Sequence, residues 1–396
     1  MPLIYVIAGE SSGDVLGARL MQAIAVRRPD VTFAGIGGEA MAAHGLRSLF
    51  PIGDLALMGL LEVLPRLRQL NHRLQQTTND IATRRPDMLI TIDSPGFTLR
   101  VLRAVAPLGI PRAHYVAPQV WAWRQSRVRH YHGLWNRLLC LLPFEPPFFA
   151  RNNLPATFVG HPVLESGADK GDAARFRARH GIPATACLVT LMPGSRRTEV
   201  SRLLPVLGAA LQRVAAHVPN IQPVVPLAGP VADAVRRGAS AWSAQPILVS
   251  ETEDKHDGFA ASAAALTKSG TATLELAMAG VPMLVTYRVN PLSAAIARRL
   301  ITVQYASLIN LLADTEVVPE LIQDACTPDR LAGALLHLLS DPAAADAQRY
   351  ACQVVLRQLR PPRGLPSEAA ADAVLELLDQ PSRPPYVPGG QPGEPL

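Results

Sequence analysis

Lysine is nearly missing from this chain: among 396 residues only Lys170, Lys255 and Lys268 occur, and arginine supplies the other 35 of 38 basic side chains. Cysteine is also scarce. The four, at 140, 187, 326 and 352, have neither zinc nor redox spacing, which excludes a disulfide framework and fits reduced thiols in a cytosolic protein. Charged residues are few, 18% against 48% apolar, and this excludes a mostly disordered chain. No long hydrophobic run compensates. The longest weakly charged stretch, 269–287, contains Glu275 and a Gly280-Val281-Pro282 break, so helix plus strand explains it better than a membrane span. The N-terminus opens on a strand-like run, Leu3–Ala8, without a basic region before it, and no signal peptide is expected.

Several catalytic signatures are absent too. There is no Gly-x4-Gly-Lys-Ser/Thr, no Gly-x-Gly-x-x-Gly after the first strand, no Gly-x-Ser-x-Gly and no His-Glu-x-x-His. His130 and His132 fall on different sides of a helix. Metal catalysis therefore has no support, and no metal ligands are assigned.

What is present is an alternation. Strand candidates are Leu3–Ala8, Val31–Gly35, Met88–Ile92, Arg112–Val116, Leu138–Leu142 and Thr157–Val159, then Cys187–Met192, Gln222–Pro226, Ile247–Val249, Ala264–Thr267 and Met283–Thr286. Helical patterns such as Val15–Arg27, Gly59–Thr83 and Glu199–His217 fill the gaps. The series starts again near residue 186, after the Gly-rich stretch Gly160–Asp172. The expected fold class is α/β: two doubly wound, Rossmann-like parallel-sheet domains, 1–165 and 166–360, facing a central cleft and hinged at that stretch. A C-terminal helix over 361–379 follows, and the Pro- and Gly-rich tail 380–396 is expected to be disordered.

Charge is uneven. Residues 1–165 hold 17 Arg against 11 acids, which is the whole net charge of +6. A basic first half points to an anionic partner: nucleic acid, anionic lipid or a phosphorylated ligand. Met58–Leu64 is dense in aliphatics and runs into Arg66, Arg68 and Arg73; Trp121-Ala122-Trp123-Arg124, Arg127, Arg129 and Trp135 follow. Trp and Arg beside apolar surface suit a membrane interface or an acylated phosphate, while for Met58–Leu64 taken alone core packing is the better explanation. No nucleic-acid motif is recognisable.

Four loops after strands carry candidate chemistry. Ser269-Gly270-Thr271, with Lys268 before it, opens a helix whose free N–H groups suit a phosphate, and Glu275 is placed for ribose hydroxyls; a plain helix cap with a solvated Glu accounts for the same residues. Pro193-Gly194-Ser195-Arg196-Arg197 offers flexible backbone, a hydroxyl and guanidiniums for a pyrophosphate, against the rival of an ordinary turn with surface Arg. In Gly9-Glu10-Ser11-Ser12-Gly13-Asp14, Ser11 and Asp14 fit a capping box, Gly13 would let a substrate approach the backbone, and Glu10 would face the cleft. Asp93 ends an apolar strand before Ser94-Pro95, and burial there would raise its pKa toward that of a useful base; a helix cap, which Ser94 and Pro95 already supply, is the rival.

In order along the chain, AGESSGDVL (8–16), MGLLEVL (58–64), IDSPGF (92–97), HYVAPQVWAWR (114–124), LPFE (142–145), GHP (160–162), LMPGSRRTEV (191–200), SGTATLE (269–275) and SLINLL (307–312) together resemble the lipid-A-disaccharide synthases. The resemblance implies a GT-B glycosyltransferase. It would transfer 2,3-diacylglucosamine from UDP, with inversion, to the 6-hydroxyl of 2,3-diacylglucosamine 1-phosphate. The expected products are the β-1,6-linked disaccharide 1-phosphate and UDP. No cofactor or metal is implied, since the UDP-sugar is a substrate. The expected partners are the two acylated sugars and the inner face of the inner membrane, reached peripherally from the cytoplasm, without nucleic acid; a homodimer is left open. By matching position, Asp93 is the candidate base, and Glu10, Ser12 and Gly13 match the first loop at the cleft, Glu10 being counted with Asp93 as catalytic. Ser195 and Arg196 match the diphosphate motif; Ser269, Gly270, Thr271 and Glu275 match the nucleotide loop, and Asn310 the SLxNLL segment. Gly96 departs from the family pattern, which commonly has a second Asp there.

Overall fold

The structure, a computed structural model, describes residues 1–55, 60–123, 125–290, 294 and 300–380, with the backbone alone for 60–67. The Met58–Leu64 segment, Arg66, Arg124 and all of the tail except Gln380 lie outside the described residues or their side chains. The chain divides into two compact units, Met1–Pro162 with Leu359–Leu396, and Val163–Gln358.

The first unit is built on six parallel strands: β1 (Leu3–Ala8), β2 (Thr32–Ile36), β3 (Met88–Ile92), β4 (Arg112–Tyr115), β5 (Arg137–Cys140) and β6 (Ala156–Phe158), in the order β2-β1-β3-β4-β5-β6. Parallel strands need crossovers over the faces, so both faces are covered and the strands read as unbroken apolar runs. β1 shows why. Ile4, Val6 and Ala8 enter one core with Leu20, Ile24 and Val374, while Tyr5 and Ile7 enter the other with Phe97 and Val101. Val374 belongs to the last helix, Pro366–Leu378, which returns to this unit and is tied to the helix Ser11–Arg27 by Arg27–Asp372 at 2.6 Å.

The second unit repeats the plan: β7 (Cys187–Met192), β8 (Ile221–Pro226), β9 (Ile247–Val249), β10 (Ala264–Lys268), β11 (Met283–Tyr287) and β12 (Glu320–Ile322) are parallel in the order β12-β11-β10-β7-β8-β9. Helices Arg197–Ala215 and Pro328–Ser340 share its larger core through Leu203, Leu207, Leu331 and Leu335. Among the described residues no helix is long and apolar enough to cross a membrane.

The expected capping box at Ser11 and Asp14 does not form. The helix begins after Glu10 without a side-chain cap. Asp14 turns away and accepts hydrogen bonds from the amides of Gly38, Ala40 and Met41, at 2.7, 2.9 and 3.1 Å, capping the short helix Glu39–Ala42 after β2 instead. A buried carboxylate satisfies itself with as many N–H groups as it can reach, and these three outbid one local cap. Asp14→Ala leaves those amides unpaired; it is expected to cost about 1–3 kcal/mol, seen as a lower urea midpoint with an unchanged slope.

Candidate active site

In an open parallel sheet, ligands bind beyond the carboxyl ends of the two strands whose crossovers leave in opposite directions. In the first sheet those strands are β1 and β3, neighbours with Ala8 opposite Ile92. Their ends carry Gly9-Glu10 and Asp93-Ser94. The two loops touch: a Cβ on Gly9 would collide with the Ser94 side chain. Gly9 is thus required for close approach of protein to protein.

Asp93 and Ser94 both adopt left-handed backbone, with φ of 49° and 46°. This conformation is held from outside. The Asp93 amide donates to the Tyr115 carbonyl at 2.8 Å, and the Thr98 hydroxyl donates to the Asp93 carbonyl at 2.6 Å. Ser94 does not cap the helix Pro95–Val105 with its side chain; its buried hydroxyl has no partner among the described residues. Burial pushes the Asp93 carboxyl above its ordinary pKa, partly offset by a hydrogen bond from the Ser94 amide. Glu10 is exposed at the start of the helix Ser11–Arg27, with Ser12 exposed beside it. Gly13 is buried, and its α-carbon faces Ala8 and Ile92, where a Cβ would make ordinary 3.5–3.6 Å contacts. Packing of the helix on the sheet accounts for its position.

The Trp/Arg stretch divides. Trp121 and Trp135 are core residues, and only Trp123, 40% exposed, presents a ring to the surface. The Trp121 indole donates to Glu145 at 3.0 Å, and the other Glu145 oxygen accepts the amides of Leu141 and Leu142 at 3.0 Å each. This single buried carboxylate joins HYVAPQVWAWR to LPFE; burial raises it to about 7 against the pull of its three donors. Arg73 is committed as well, paired with Asp54 at 2.6 Å.

In the second sheet the crossovers diverge at β7 and β10, which are neighbours. Their ends carry Pro193–Arg196 and Lys268–Thr271, so both loops suspected of phosphate binding lie at one switch point. Glu199 connects them. It is 5% exposed and accepts the amides of Ser195 and Arg196 at 3.2 and 3.3 Å. It also pairs with Lys268 at 3.1 Å and lies 3.8 Å from the Arg196 guanidinium. Gly194, at φ +111°, is where this carboxylate passes. Arg196 and Ser195 are exposed, Arg196 with 61% of its side chain in solvent. Glu275 is half-buried and binds Lys255 through both oxygens, at 3.1 and 3.2 Å.

Two expectations change here. The Ser269 amide donates to Thr286 and its hydroxyl to Ala306, at 3.1 and 2.6 Å, so Ser269 is a loop fastener. Among the described residues, the amides at this turn without a partner include those of Gly270, at φ +153°, and exposed Thr271. Asn310 is 0% exposed and fully engaged: its amide group donates to Val318 and Glu320, and its oxygen accepts from Val317 and Val318, all at 2.8–2.9 Å. It cannot be offered to a ligand. Glu320 in turn holds the amides of Ala306 and Ser307 at 2.8 Å each, so Asn310 supports the Ser269 loop from behind. Glu199, Lys255, Lys268 and Glu320 escaped the sequence reading as partners.

Two doubly wound units of this order, the second with paired phosphate-type loops at its switch point, define the GT-B class of α/β protein. Solved structures agree on the fold. A Staphylococcus aureus MnaA–UDP complex superimposes with a TM-score of 0.65 at 12% identity, covering 95% of each chain. The calicheamicin glycosyltransferase CalG4 gives 0.60 at 16%, covering 96% of this chain and 98% of that one. Sequence gives the family. The lipid-A-disaccharide synthetase model matches residues 4–374. Lipid-A-disaccharide synthases of Granulibacter bethesdensis and Gluconobacter oxydans are each 57% identical, covering 96% of this chain and 99% and 91% of theirs. The chain belongs to the lipid-A-disaccharide synthase family of glycosyltransferases.

Replacing Asn310 by Ala removes four hydrogen bonds from a buried site. A loss of at least about 2 kcal/mol is expected, with hydrogen exchange at the Val317 and Val318 amides rising to the rate of exposed loop.

Proposed function

We propose that this glycosyltransferase joins UDP-2,3-diacylglucosamine to 2,3-diacylglucosamine 1-phosphate through a β-1,6 bond and releases UDP. The observation that carries the reading is the pairing of loops 193–196 and 268–271 at one switch point, in a chain of this family. The acceptor 6-hydroxyl attacks the anomeric carbon of the donor as Asp93 takes its proton. The bond from that carbon to the UDP oxygen breaks with inversion. The charge that develops on the leaving diphosphate is met by the Arg196 guanidinium and by the amides of Gly270 and Thr271. Glu10, beside Asp93 at the first switch point, orients the acceptor, and Glu275, already neutralised by Lys255, receives ribose hydroxyls. Asp93 acts without a second carboxylate at position 96, where this chain has Gly.

Both substrates are lipids, so the reaction has to occur at a bilayer surface. The excess of Arg in residues 1–165 suits attachment to an anionic leaflet from the cytoplasmic side.

Mass spectrometry of products from the acylated donor and acceptor tests the reaction. The disaccharide 1-phosphate is expected, whereas conversion of UDP-N-acetylglucosamine to an epimer with no acceptor present would replace this reading by a 2-epimerase.

Asp93→Asn tests the base. Turnover should fall by about 10²–10⁴, with substrate binding little changed. Because burial raises the folded-state pKa of Asp93, the wild-type kcat/KM should lose activity on the acid side at a pH above the ordinary carboxylate range. The same shift means that the ionised group destabilises the fold above that pKa, and the penalty fades as pH drops to the unfolded-state value. Asp93→Asn should therefore raise Tm at neutral pH, with the gain vanishing in acid. Near-normal turnover would remove Asp93 as the base.

A further inference from the structure

A cavity of about 390 Å³ opens in the first unit between the helix Pro95–Val105 and the segment that follows β4. Gly96, Arg100 and Arg103 line it from one helix face, at the spacing that a helix brings together. Trp123, Arg127 and His130 line it from the other side. Among the described residues no acidic side chain takes part in the lining. Arg103 donates to the His130 carbonyl at 3.3 Å, which ties the two walls together. The Arg127 guanidinium lies 6.0 Å from the centre of the Trp123 ring. Among the described residues neither Arg100 nor Arg127 is engaged in an ion pair, although Arg side chains elsewhere in this unit, such as Arg27, Arg28, Arg73, Arg84 and Arg137, do have carboxylate partners.

Uncompensated guanidiniums converging on a concave, partly aromatic surface select a tetrahedral oxyanion attached to a ring. The forks match phosphate oxygens, and the indole offers a face to a sugar. The volume is near the lower end of the roughly 300–1,000 Å³ range of small-ligand clefts. That is room for a sugar phosphate head, with acyl chains left outside. The position is equally telling. Gly96 is in the first turn of the helix that begins directly after Asp93 and Ser94, and a Cβ there would meet nothing within 4 Å, so the wall is low on that side. In a hexopyranose the anomeric carbon and C5, which carries C6, flank the ring oxygen, so one sugar can give its 1-phosphate to this cavity and still present its 6-hydroxyl at the neighbouring Asp93 loop.

We infer that this cavity binds the phosphate monoester of the acceptor sugar through Arg100 and Arg127, with Trp123 against the sugar. The inference rests on the proposed reaction and adds the place where the acceptor's charge is read. It makes these arginines the source of a preference for a phosphorylated acceptor over the same sugar with a free anomeric hydroxyl. Both are exposed, so that preference weakens as ionic strength rises.

The test begins with wild-type protein, donor and acceptor. Failure to form the disaccharide overturns the reaction itself, and the inference with it. With turnover in hand, kcat/KM is compared for the acceptor with and without its 1-phosphate. In Arg100→Ala/Arg127→Ala the acceptor KM should rise about tenfold or more and the preference for phosphate should collapse toward unity. The donor KM and the thermal transition should stay as in the wild type. Arg100→Lys/Arg127→Lys, which keeps the charge, should retain most of the preference. If the double alanine variant does not fold, Arg100→Ala and Arg127→Gln singly are read by the same ratio. Full phosphate preference in the alanine variants overturns the inference, as does an equal loss on both acceptors. So does a loss confined to binding of phosphatidic acid vesicles, which would make the cavity a membrane headgroup site.

Discussion

A parallel strand cannot pair with its predecessor without the chain crossing a face of the sheet, and nearly all such crossings have one hand. When a sheet is wound outward from its middle, two adjacent strands send their crossovers to opposite faces. No connection covers the gap at their carboxyl ends. In the first sheet the gap lies between β1 and β3, in the second between β7 and β10. The four loops that carry Glu10, Asp93, Arg196 and Gly270 are the four that begin at those strand ends. Their positions therefore follow from winding order, and the cores on both faces make that order costly to change. Shifting β1 by one residue would exchange Ile4, Val6 and Ala8 for Tyr5 and Ile7 between differently shaped cores.

At the first gap the fold bears two local costs. Consecutive left-handed residues at 93 and 94 are strained for side chains other than glycine, less so for Asp than for most. A carboxylate held away from water is disfavoured in its ionised form. Both are tolerated because the surroundings over-determine the loop: β4 supplies the Tyr115 carbonyl, the helix Pro95–Val105 supplies the Thr98 hydroxyl, and Gly9 leaves room for Ser94. The same burial that weakens the fold here moves the carboxyl toward the range in which it can take a proton. An exposed Asp at this place would be cheaper for the fold and a weaker base.

The strands were legible in the sequence for a simple reason. Runs such as 3–8, 187–192 and 264–267 are buried on both faces, so every residue in them is apolar or small and their ends fall where polar residues resume. β12 was not legible: three half-buried residues that include Glu320 carry no periodic signal. The site loops could be located because Gly and polar residues follow strands directly. What individual side chains do there was mostly out of reach. Asp14 reaches amides 24 to 27 residues away, and Trp121 finds a carboxylate 24 residues on. Such partners are brought together only by tertiary packing, and a local pattern, here a capping box, misassigns them. Asn310 fails in the same manner, because a buried amide that closes a turn and an exposed one that binds a nucleotide look identical in one dimension.

The rarity of lysine gains a physical meaning at the second gap. Of the three lysines in the chain, Lys255 and Lys268 each bind a carboxylate at this one switch point, Glu275 and Glu199 respectively. An ammonium is compact and directs its donors in any direction, whereas a guanidinium is a flat, extended fork. Lys268 has to fit between Glu199 and the Tyr287 ring, whose centre is 5.4 Å from its nitrogen. Lys255 likewise lies between Glu275 and Phe259, 5.8 Å from that ring. Arginine at either place would need more volume and could not direct its donors as freely. The pairs also keep the local charge balanced. Glu199 and Glu275 are already countered by lysine, while Arg196, 3.8 Å from Glu199, keeps most of its side chain in solvent.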